Sequence, residues 1–382
     1  MIVAGGIYSE VCVAPPSTSL FGSGGRAALA LTGLIKAVEL HAFQPARLAD
    51  EVYPNFEPFG VDVHLYPSSD RVHFHYLHPL ARPRISPIPL PAAGSVGVQG
   101  KAILRFGCLE GDFRVVGEMA VYDPQTAVAP VPFRANGSAA KRLAIVLNRA
   151  ELRAVTAVSD MAAAAQSLCE KDGAEVAVVK AGPNGAYVFE SGILIGQIPA
   201  YEASAIHKVG SGDTFSAAFA YYWMHSGQSA LESVRLASLH TAEYVETRRA
   251  VFRADVVERQ PLVRAPGTSA LVALGRHGAS GQWLLDEAMS GLWDLGVDAR
   301  VHEGELANAP ESLRDGEVLL LLDPGARAGP VAKKCVPKGQ RVVAYCEASL
   351  GEISAAAATV LDVKAELAAA LYAVAWAPVG MR

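Results

Sequence analysis

The stretch Lys208-Val209-Gly210-Ser211-Gly212-Asp213-Thr214-Phe215-Ser216-Ala217-Ala218-Phe219 joins a glycine-rich turn directly to an apolar helix. Gly210 and Gly212 let the backbone approach a ligand closely because they carry no Cβ. Ser211 is able to cap the helix, whose first N–H groups lack partners within the helix and form an anion site. Asp213 lies at the opening of that site. A carboxylate there would repel a bound phosphate, so its position is explained if it takes a proton from an attacking hydroxyl. The pattern therefore favours phosphoryl transfer, with donors for developing charge and a base beside them.

An ordinary helix start, at which Asp213 stabilises the macrodipole, is the alternative interpretation. The stretch resembles the second signature of the PfkB/ribokinase family of sugar and nucleoside kinases, D-T-x-G-A-G-D. Its glycines and aspartate match, whereas His207 and Lys208 replace the leading Asp-Thr. The resemblance implies that Asp213 is the catalytic base and that the amides of the G-S-G turn form the anion hole.

Composition and charge narrow the class of protein. A length of 382 residues predicts about two or three domains. The net charge of −5 gives no electrostatic reason to expect a nucleic-acid partner. Five cysteines without a CxxC pair favour reduced thiols over a disulfide framework or a zinc site. No leader-like segment opens the sequence and no apolar run reaches about 18 residues, so we expect a soluble cytoplasmic protein without a membrane partner.

A second glycine-rich run, Phe21-Gly22-Ser23-Gly24-Gly25-Arg26, precedes a helix predicted from Ala27 to about Glu39. A glycine loop before an apolar helix either receives a ligand closely or only turns the chain. The run is similar to the first family signature, G-G-x-x-x-N-x-A, although Leu29 replaces its asparagine. The resemblance implies that Gly24, Gly25 and Arg26 hold the phosphoryl acceptor, together with Glu10.

Two further elements follow buried strands. Asn148-Arg149-Ala150-Glu151 begins a helix, where asparagine and glutamate three residues apart form a common capping arrangement. It also matches the family's N-x-x-E element, which implies that Asn148 and Glu151 organise Mg²⁺ and nucleotide phosphates. Lys180-Ala181-Gly182-Pro183-Asn184-Gly185 resembles the family's turn near those phosphates, which implies nucleotide contacts from Lys180, Gly182 and Gly185; an ordinary solvent lysine is the alternative.

The histidines between Val52 and Gly100 raise the question of a metal site. They are His64, His73, His75 and His78, on runs that alternate as strands do. No acidic or cysteine partner has ligand spacing in this segment, so a β lid or a substrate-side surface is favoured.

These elements together predict a ribokinase-like α/β fold over residues 1–262: a mostly parallel sheet with helices on both faces and a small β lid drawn from about 7–20 and 52–100. Residues 263–267 read as a linker. Residues 268–382 alternate strands and helices again, which predicts a separate small Rossmann-like α/β domain.

The second domain resembles nucleoside 2-deoxyribosyltransferases, through its glycine-containing loop at Gly275 and the run Asp323-Pro324-Gly325. The family's nucleophilic glutamate is replaced by Gly329, and without a carboxylate a covalent glycosyl intermediate has no evident nucleophile. Glu347 or Glu352 acting instead is an open alternative. We expect a non-catalytic nucleotide or nucleoside sensor or a homodimerisation unit.

The leading hypothesis is therefore an ATP- and Mg²⁺-dependent kinase of a small sugar or nucleoside, with Asp213 as base and Glu151 as the metal-organising carboxylate. Two rivals stay open. One is a nucleoside N-glycosyl hydrolase or transferase in the second domain, and the other is a sensor without catalytic activity.

Overall fold

The computed structural model describes residues 1–126, 128–262, 267–335, 339–346 and 362–376. The chain divides into two compact units. The first comprises Met1–Tyr76, Arg82–Ala203 and Val209–Pro261, and the second comprises Leu77–Ala81, Ser204–Lys208 and Leu262–Arg382. No helix within the described ranges is long and apolar enough to cross a membrane.

The strands before the second unit's sheet are, in chain order, β1 (Ile2–Ala4), β2 (Ser9–Cys12), β3 (Ser17–Leu20), β4 (Val38–Gln44), β5 (Val61–Pro67), β6 (His73–Tyr76), β7 (Arg84–Ser86), β8 (Ser95–Phe106), β9 (Asp112–Asp123), β10 (Ala139–Asn148), β11 (Val176–Lys180), β12 (Ala186–Glu190), β13 (Ile193–Ile198), β14 (Ala200–Tyr201) and β15 (Pro261–Leu262). The α-helices of the first unit are α1 (Gly22–Thr32), α2 (Ala49–Val52), α3 (Arg149–Thr156), α4 (Met161–Asp172), α5 (Ser211–Ala220) and α6 (Ala230–Thr247).

The main sheet has nine strands in the order β13-β12-β11-β10-β9-β8-β1-β4-β5. The strands from β11 to β5 run parallel, and only β12 and β13 are antiparallel to their neighbours. Successive residues of a strand face opposite sides, so Val3 packs with one core while Ile2 and Ala4 pack with the other. The first core contains residues of α1, α5 and α6, and the second contains residues of α3 and α4. The prediction of a mostly parallel sheet covered by helices on both faces is confirmed.

A smaller sheet in the order β3-β2-β6-β7 accompanies the main sheet. It supplies the small β lid, and its β2 and β6 pair in parallel while the outer strands are antiparallel. One assignment within the expected lid was wrong. The strand at 61–67 pairs with β4 at the edge of the main sheet, because its buried Val61 belongs to the core under α1.

The helix predicted from Ala27 to Glu39 was also placed incorrectly. Helix α1 already begins at Gly22 and ends at Thr32, and Val38 opens strand β4. Gly24 lies inside the helix because its backbone packs on β1's exit, where a Cβ would lie 2.7 Å from the carbonyl carbon of Gly5. Two glycines in a first turn look like a loop in sequence but serve a close helix-to-strand approach here.

The second unit is a five-stranded parallel sheet. Its strands are β16 (Ser269–Leu274), β17 (Asp298–Val301), β18 (Val318–Leu322), β19 (Val342–Tyr345) and β20 (Asp362–Lys364), in the order β17-β16-β18-β19-β20. Its helices are α7 (Ala279–Asp294), α8 (Ala328–Cys335) and α9 (Leu367–Ala375). Helix α9 begins at Leu367, because residues 362–364 pair with β19 as an edge strand. Residues 263–266 of the expected linker lie outside the described residues.

Candidate active site at the N-terminus of helix α5

Helix α5 begins with a glycine in the left-handed conformation. Gly210 has φ 80° and is the N-cap, so Ser211 is the first helical residue rather than the cap. The Thr214 amide donates to the Gly210 carbonyl at 3.1 Å, which closes the first turn of the helix. A Cβ on Gly210 would overlap the Arg26 side chain. This position therefore requires glycine both for its backbone angle and for the neighbouring guanidinium.

Asp213 belongs to a buried ion network with two residues that the sequence assigned to the acceptor. Arg26 Nη1 donates to Asp213 Oδ2 at 2.7 Å, and Arg26 Nη2 donates to Glu10 Oε2. The Ser19 hydroxyl also donates to Glu10 Oε2, at 2.9 Å. The Glu10, Arg26 and Asp213 side chains are 4–8% exposed. Arg26 thus contacts two carboxylates of its own chain, and within the described residues no hydrogen bond reaches Asp213 Oδ1.

The environment of Asp213 raises the pKa of its carboxyl toward neutral pH. Burial raises the pKa of Asp213 to about 6, the Arg26 guanidinium lowers it, and the Glu10 and Asp123 carboxylates raise it. At pH 7 the group is still mostly ionised, yet it is far more basic than an ordinary aspartate. A general base works best when its pKa lies near the working pH, so this environment suits that role.

A second polar cluster lies beside the same helix. Asp123, at the end of β9, is fully buried, and its Oδ2 accepts from Lys180 Nζ at 2.7 Å and from the Ser216 hydroxyl at 2.6 Å. A Cβ on Gly212 would lie 3.6 Å from Lys180 Nζ. Burial lowers the pKa of Lys180, but Asp123 and Glu151 outweigh it and raise the pKa above its ordinary value. A permanent positive charge therefore lies next to the N-terminus of α5.

Asn148 and Glu151 form a reciprocal capping box at the start of α3. The Glu151 amide donates to Asn148 Oδ1 at 2.9 Å, and the Asn148 amide donates to Glu151 Oε2 at 2.7 Å. Burial raises the pKa of Glu151 to about 7, with the Asp123 carboxylate adding to the effect and Lys180 opposing it. The capping interpretation is correct as local structure, and the electrostatic coupling places Glu151 near the Asp123–Lys180 cluster.

The other predicted glycines have packing roles that the structure makes explicit. A Cβ on Gly25 would lie 2.8 Å from the Phe56 ring. Gly182 has φ 55°, and Gly185 has φ 74° with its backbone against the Ile198 carbonyl. Each position excludes a larger side chain through conformation or contact, whether or not it binds a ligand.

Sequence reasoning left two residues of this site unassigned. Ser216 lies one turn after Asp213 and shares the Asp123 carboxylate with Lys180. Asp123 is the first residue of an Asp-Pro-Gln run at the end of β9, at the sheet edge where α/β proteins bind ligands. Only the fold brings it to Lys180, 57 positions further along the chain.

The charges around the α5 N-terminus do not balance. Four buried carboxylates, those of Glu10, Asp123, Glu151 and Asp213, share the site with the cations of Arg26 and Lys180. Carboxylate oxygens are the ligands that Mg²⁺ prefers, and a divalent cation offsets such an excess of negative charge. The donor set therefore fits Mg²⁺, with Glu151 and Asp123 as the carboxylates closest to the Lys180 side of the site.

The second unit has two glycine-containing loops, one after β16 and one after β18. Its strand order places the β16 and β18 exits side by side, which is where doubly wound sheets bind ligands. Arg276 Nη2 pairs with Asp323 Oδ2 at 3.0 Å, and Arg327 donates to the Gly275 carbonyl. Gly329 lies in α8, so the described part of this edge has no carboxylate at the expected nucleophile position. Glu347 and Glu352 lie outside the described residues.

A protein-family model matches part of the first unit. Residues 139–253, which contain β10 through α6, match the family model described as pfkB family carbohydrate kinase. This segment contains Asn148, Glu151, Lys180 and the α5 turn. No curated protein sequence matches the chain.

Solved structures with a similar fold include several ribokinase-like kinases. An Arabidopsis thaliana ribokinase complexed with ribose and ATP has a TM-score of 0.50 at 16% identity, covering 66% of this chain and 95% of that one. A Thermotoga maritima ribokinase has a TM-score of 0.49 at 14% identity, covering 65% and 94%. A pyrophosphate-dependent kinase of the ribokinase family, complexed with a pyrophosphate analogue and myo-inositol, has a TM-score of 0.48 at 15% identity, covering 67% and 98%.

Residues 139–253 thus resemble the pfkB family carbohydrate kinases, and the fold of the first unit is similar to that of ribokinase. At these identities the structural likeness concerns the fold alone. The resemblance of the second unit to deoxyribosyltransferases stays a prediction.

Proposed function

We propose that the first unit transfers the γ-phosphoryl group of ATP to a hydroxyl of a sugar or nucleoside. The carrying observation is the start of α5, where the helix N-terminus, the Lys180 ammonium and the Asp213 carboxylate lie within one cluster. Phosphoryl transfer requires mainly positioning and charge stabilisation, and these are the groups that supply both.

Asp213 would take the proton of the acceptor hydroxyl through Oδ1. Its other oxygen is fixed by Arg26 at 2.7 Å, which holds the carboxylate plane in place. The proton moves to a carboxylate whose pKa is about 6, so transfer is less uphill than to an ordinary aspartate. The amides of Gly210, Ser211 and Gly212, with Lys180, would stabilise charge on the transferred group.

Asn148 and Glu151 would organise the phosphates and Mg²⁺, and Gly182 and Gly185 would shape the turn beside them. When bound, Mg²⁺ supplies positive charge to the phosphate oxygens. Glu10, Gly24, Gly25 and Arg26 would border the acceptor, with Arg26 acting through its hold on Asp213 rather than as a free cation.

The test is ADP release from ATP across a panel of sugars and nucleosides. Asp213→Asn is expected to keep nucleotide binding and to lower turnover by about 10²-fold or more, a general base's usual share. Asp160→Asn is a matched control, since Asp160 caps the first turn of α4 and lies outside the site. Undiminished turnover in Asp213→Asn would remove Asp213 from its assigned role.

A sensor without catalytic activity is the second candidate, because the same ion network holds Asp213 in a buried pair. In that case no acceptor in the panel accelerates ADP release, although ligands still bind. The glycosyl hydrolase or transferase alternative predicts free base from nucleosides without ATP. The expected nucleophile position of the second unit holds Gly329, which does not favour it.

A further inference from the structure

Two histidines stack on the main sheet, away from the α5 site. His41 on β4 is the direct cross-strand partner of His64 on β5. Their rings stack with centroids 4.6 Å apart and planes 12° from parallel. The preceding pair in the same register, two residues earlier, is Glu39 with Asp62. Parallel pairing with a period of two therefore gathers two imidazoles and two carboxylates on one face of the sheet.

The imidazole nitrogens and the carboxylates converge. One ligand atom each from Glu39, His41 and His64 lie within 4.8 Å of one another. His41 Nε2 is 3.9 Å from Glu39 Oε2, and His64 Nε2 is 3.3 Å from Asp62 Oδ2. We propose that Glu39, His41 and His64 bind a zinc ion at this face, with Asp62 beside His64 Nε2. The proposal is independent of the kinase assignment.

His41 is oriented as a metal ligand is. Its Nδ1 lies 2.9 Å from the Tyr66 hydroxyl, which fixes the ring and directs Nε2 toward Glu39 and His64. Metal-bound histidines usually use their second nitrogen in this way. His41 Nε2 is buried and has no hydrogen-bond partner among the described residues. An unpaired buried nitrogen costs stability, and a bound cation would satisfy it.

The three side chains differ in exposure. The Glu39 and His64 side chains are 48% and 43% exposed, while that of His41 is 12% exposed. The two outer ligands are therefore able to close on a metal about 2.0–2.2 Å from each ligand atom.

The ligand types select the metal. Two imidazoles and a carboxylate suit Zn²⁺, whereas Mg²⁺ and Ca²⁺ require oxygen ligands. Three protein ligands leave a further position for water. The sequence offered no such cluster, because the partner of His64 lies on the neighbouring strand, 23 positions earlier.

Zinc binding to the chelator-treated full chain tests the proposal, by competition against a zinc-binding dye. One tight Zn²⁺ equivalent per chain is expected, with a higher melting temperature on addition of Zn²⁺ and no such effect of Mg²⁺. Cobalt substitution should give visible absorption typical of low-coordinate Co²⁺. His64→Ala and Glu39→Gln should each weaken Zn²⁺ affinity by roughly 10-fold or more. Both side chains are about half exposed, so both variants are expected to fold.

The matched control is the double variant His73→Ala/His75→Ala. These histidines also stack, with centroids 6.2 Å apart, but no carboxylate completes a cluster with them within the described chain. Zn²⁺ affinity should stay unchanged in the control. The proposal is overturned if the parent chain binds no Zn²⁺, or if His64→Ala and Glu39→Gln bind it as tightly as the parent and the control do.

Discussion

Arg26 is the residue on which the buried ion network depends. One guanidinium contacts both the Glu10 and Asp213 carboxylates, and all three side chains are nearly inaccessible. A planar guanidinium presents two separate pairs of donors, so it bridges two carboxylates in a way that a lysine ammonium does not. The single positive charge of Arg26 offsets one of the two negative charges, and its donors satisfy both carboxylates.

Arg26→Gln is expected to destabilise the first unit by about 3–5 kcal/mol, since it leaves two buried carboxylates without their cation. Urea unfolding at pH 7 measures the change. Adding Glu10→Gln and Asp213→Asn to Arg26→Gln should recover part of the loss, because no uncompensated charge then remains. The exposed pair Arg47–Asp70 gives the control, and Arg47→Gln should cost less than about 1 kcal/mol. Equal costs for the two arginines would contradict the argument.

Glu110 is a buried acid that forms no ion pair with any cation in the described ranges. Burial raises its pKa to about 7, although hydrogen bonds from backbone amides oppose the effect. Its Oε2 accepts from the Leu109 amide at 3.1 Å, while Oε1 has no hydrogen-bond partner in the described structure. The folded state therefore keeps the proton between pH 4.5, the ordinary value, and about pH 7. This contribution to stability is full below pH 4.5 and is lost as the pH rises through 7.

Glu110→Gln should remove that loss because the amide stays neutral at every pH. At pH 8 the variant is expected to be more stable than the parent by up to about 3 kcal/mol, and the difference should shrink toward pH 5. Urea unfolding at pH 5 and pH 8 measures both values. The exposed Glu57→Gln provides a comparison and should follow the parent at both pH values. A Glu110→Gln variant less stable than the parent at pH 8 would contradict the proposed cost of ionisation.

At the scale of elements, α3 and α4 offer a controlled pair of helix starts. Asn148 caps α3 within a capping box, and Asp160 caps α4 by accepting from the Ala163 amide at 2.9 Å. Asn148→Ala and Asp160→Ala should each cost about 1 kcal/mol in urea unfolding. Only Asn148→Ala should also weaken nucleotide binding, measured by titration with ATP, if α3 serves the phosphates. Unchanged binding in both variants would restrict Asn148 to capping.

The sequence predicted most strands and helices because their hydrophobic periods are regular. Strand β10 and helix α6 are clear examples, since β10 ends at Asn148 and Ser229 caps the start of α6. The prediction was wrong at α1 and β4, where only five residues separate an alanine-rich helix from an apolar strand. Glycines inside the first turn of α1 read as a loop, because their packing partner Gly5 is distant in sequence.

For the candidate site, too, local patterns were predictable from the sequence and contacts between distant residues were not. Asp213, Lys180 and Glu151 were predicted as site residues because each lies at a strand exit or helix start with a recognisable local pattern. The ion pair between Arg26 and Asp213 joins residues 187 positions apart, so no local sequence pattern predicts it. Contacts between distant elements, and the pKa values they set, required the fold.

At the scale of the whole molecule, buried acids and buried histidines have opposite effects on how the stability of the fold changes with pH. Burial raises the pKa of Glu110 and Glu151 to about 7 and that of Asp213 to about 6. Burial lowers the pKa of His240 to about 4, and it lowers the pKa of His41 as well. The acids make the folded state bind extra protons as the pH falls below 7. The histidines make the unfolded state bind extra protons below 6.5, their ordinary value.

The stability of the full chain is therefore expected to rise as the pH falls from 8 to about 6.5 and to level off below that. Each proton held only by the folded state contributes up to about 1.4 kcal/mol per pH unit, so Glu110 and Glu151 dominate the first part of the curve. Below pH 6.5 the neutral histidines cancel much of the gain, because the folded state resists their protonation. Free energies of unfolding in urea at four pH values between 5 and 8, followed by circular dichroism, measure the curve. The double variant Glu110→Gln/Glu151→Gln should flatten its upper part, and a parent chain that loses stability from pH 8 to pH 6.5 would show that other groups control the balance.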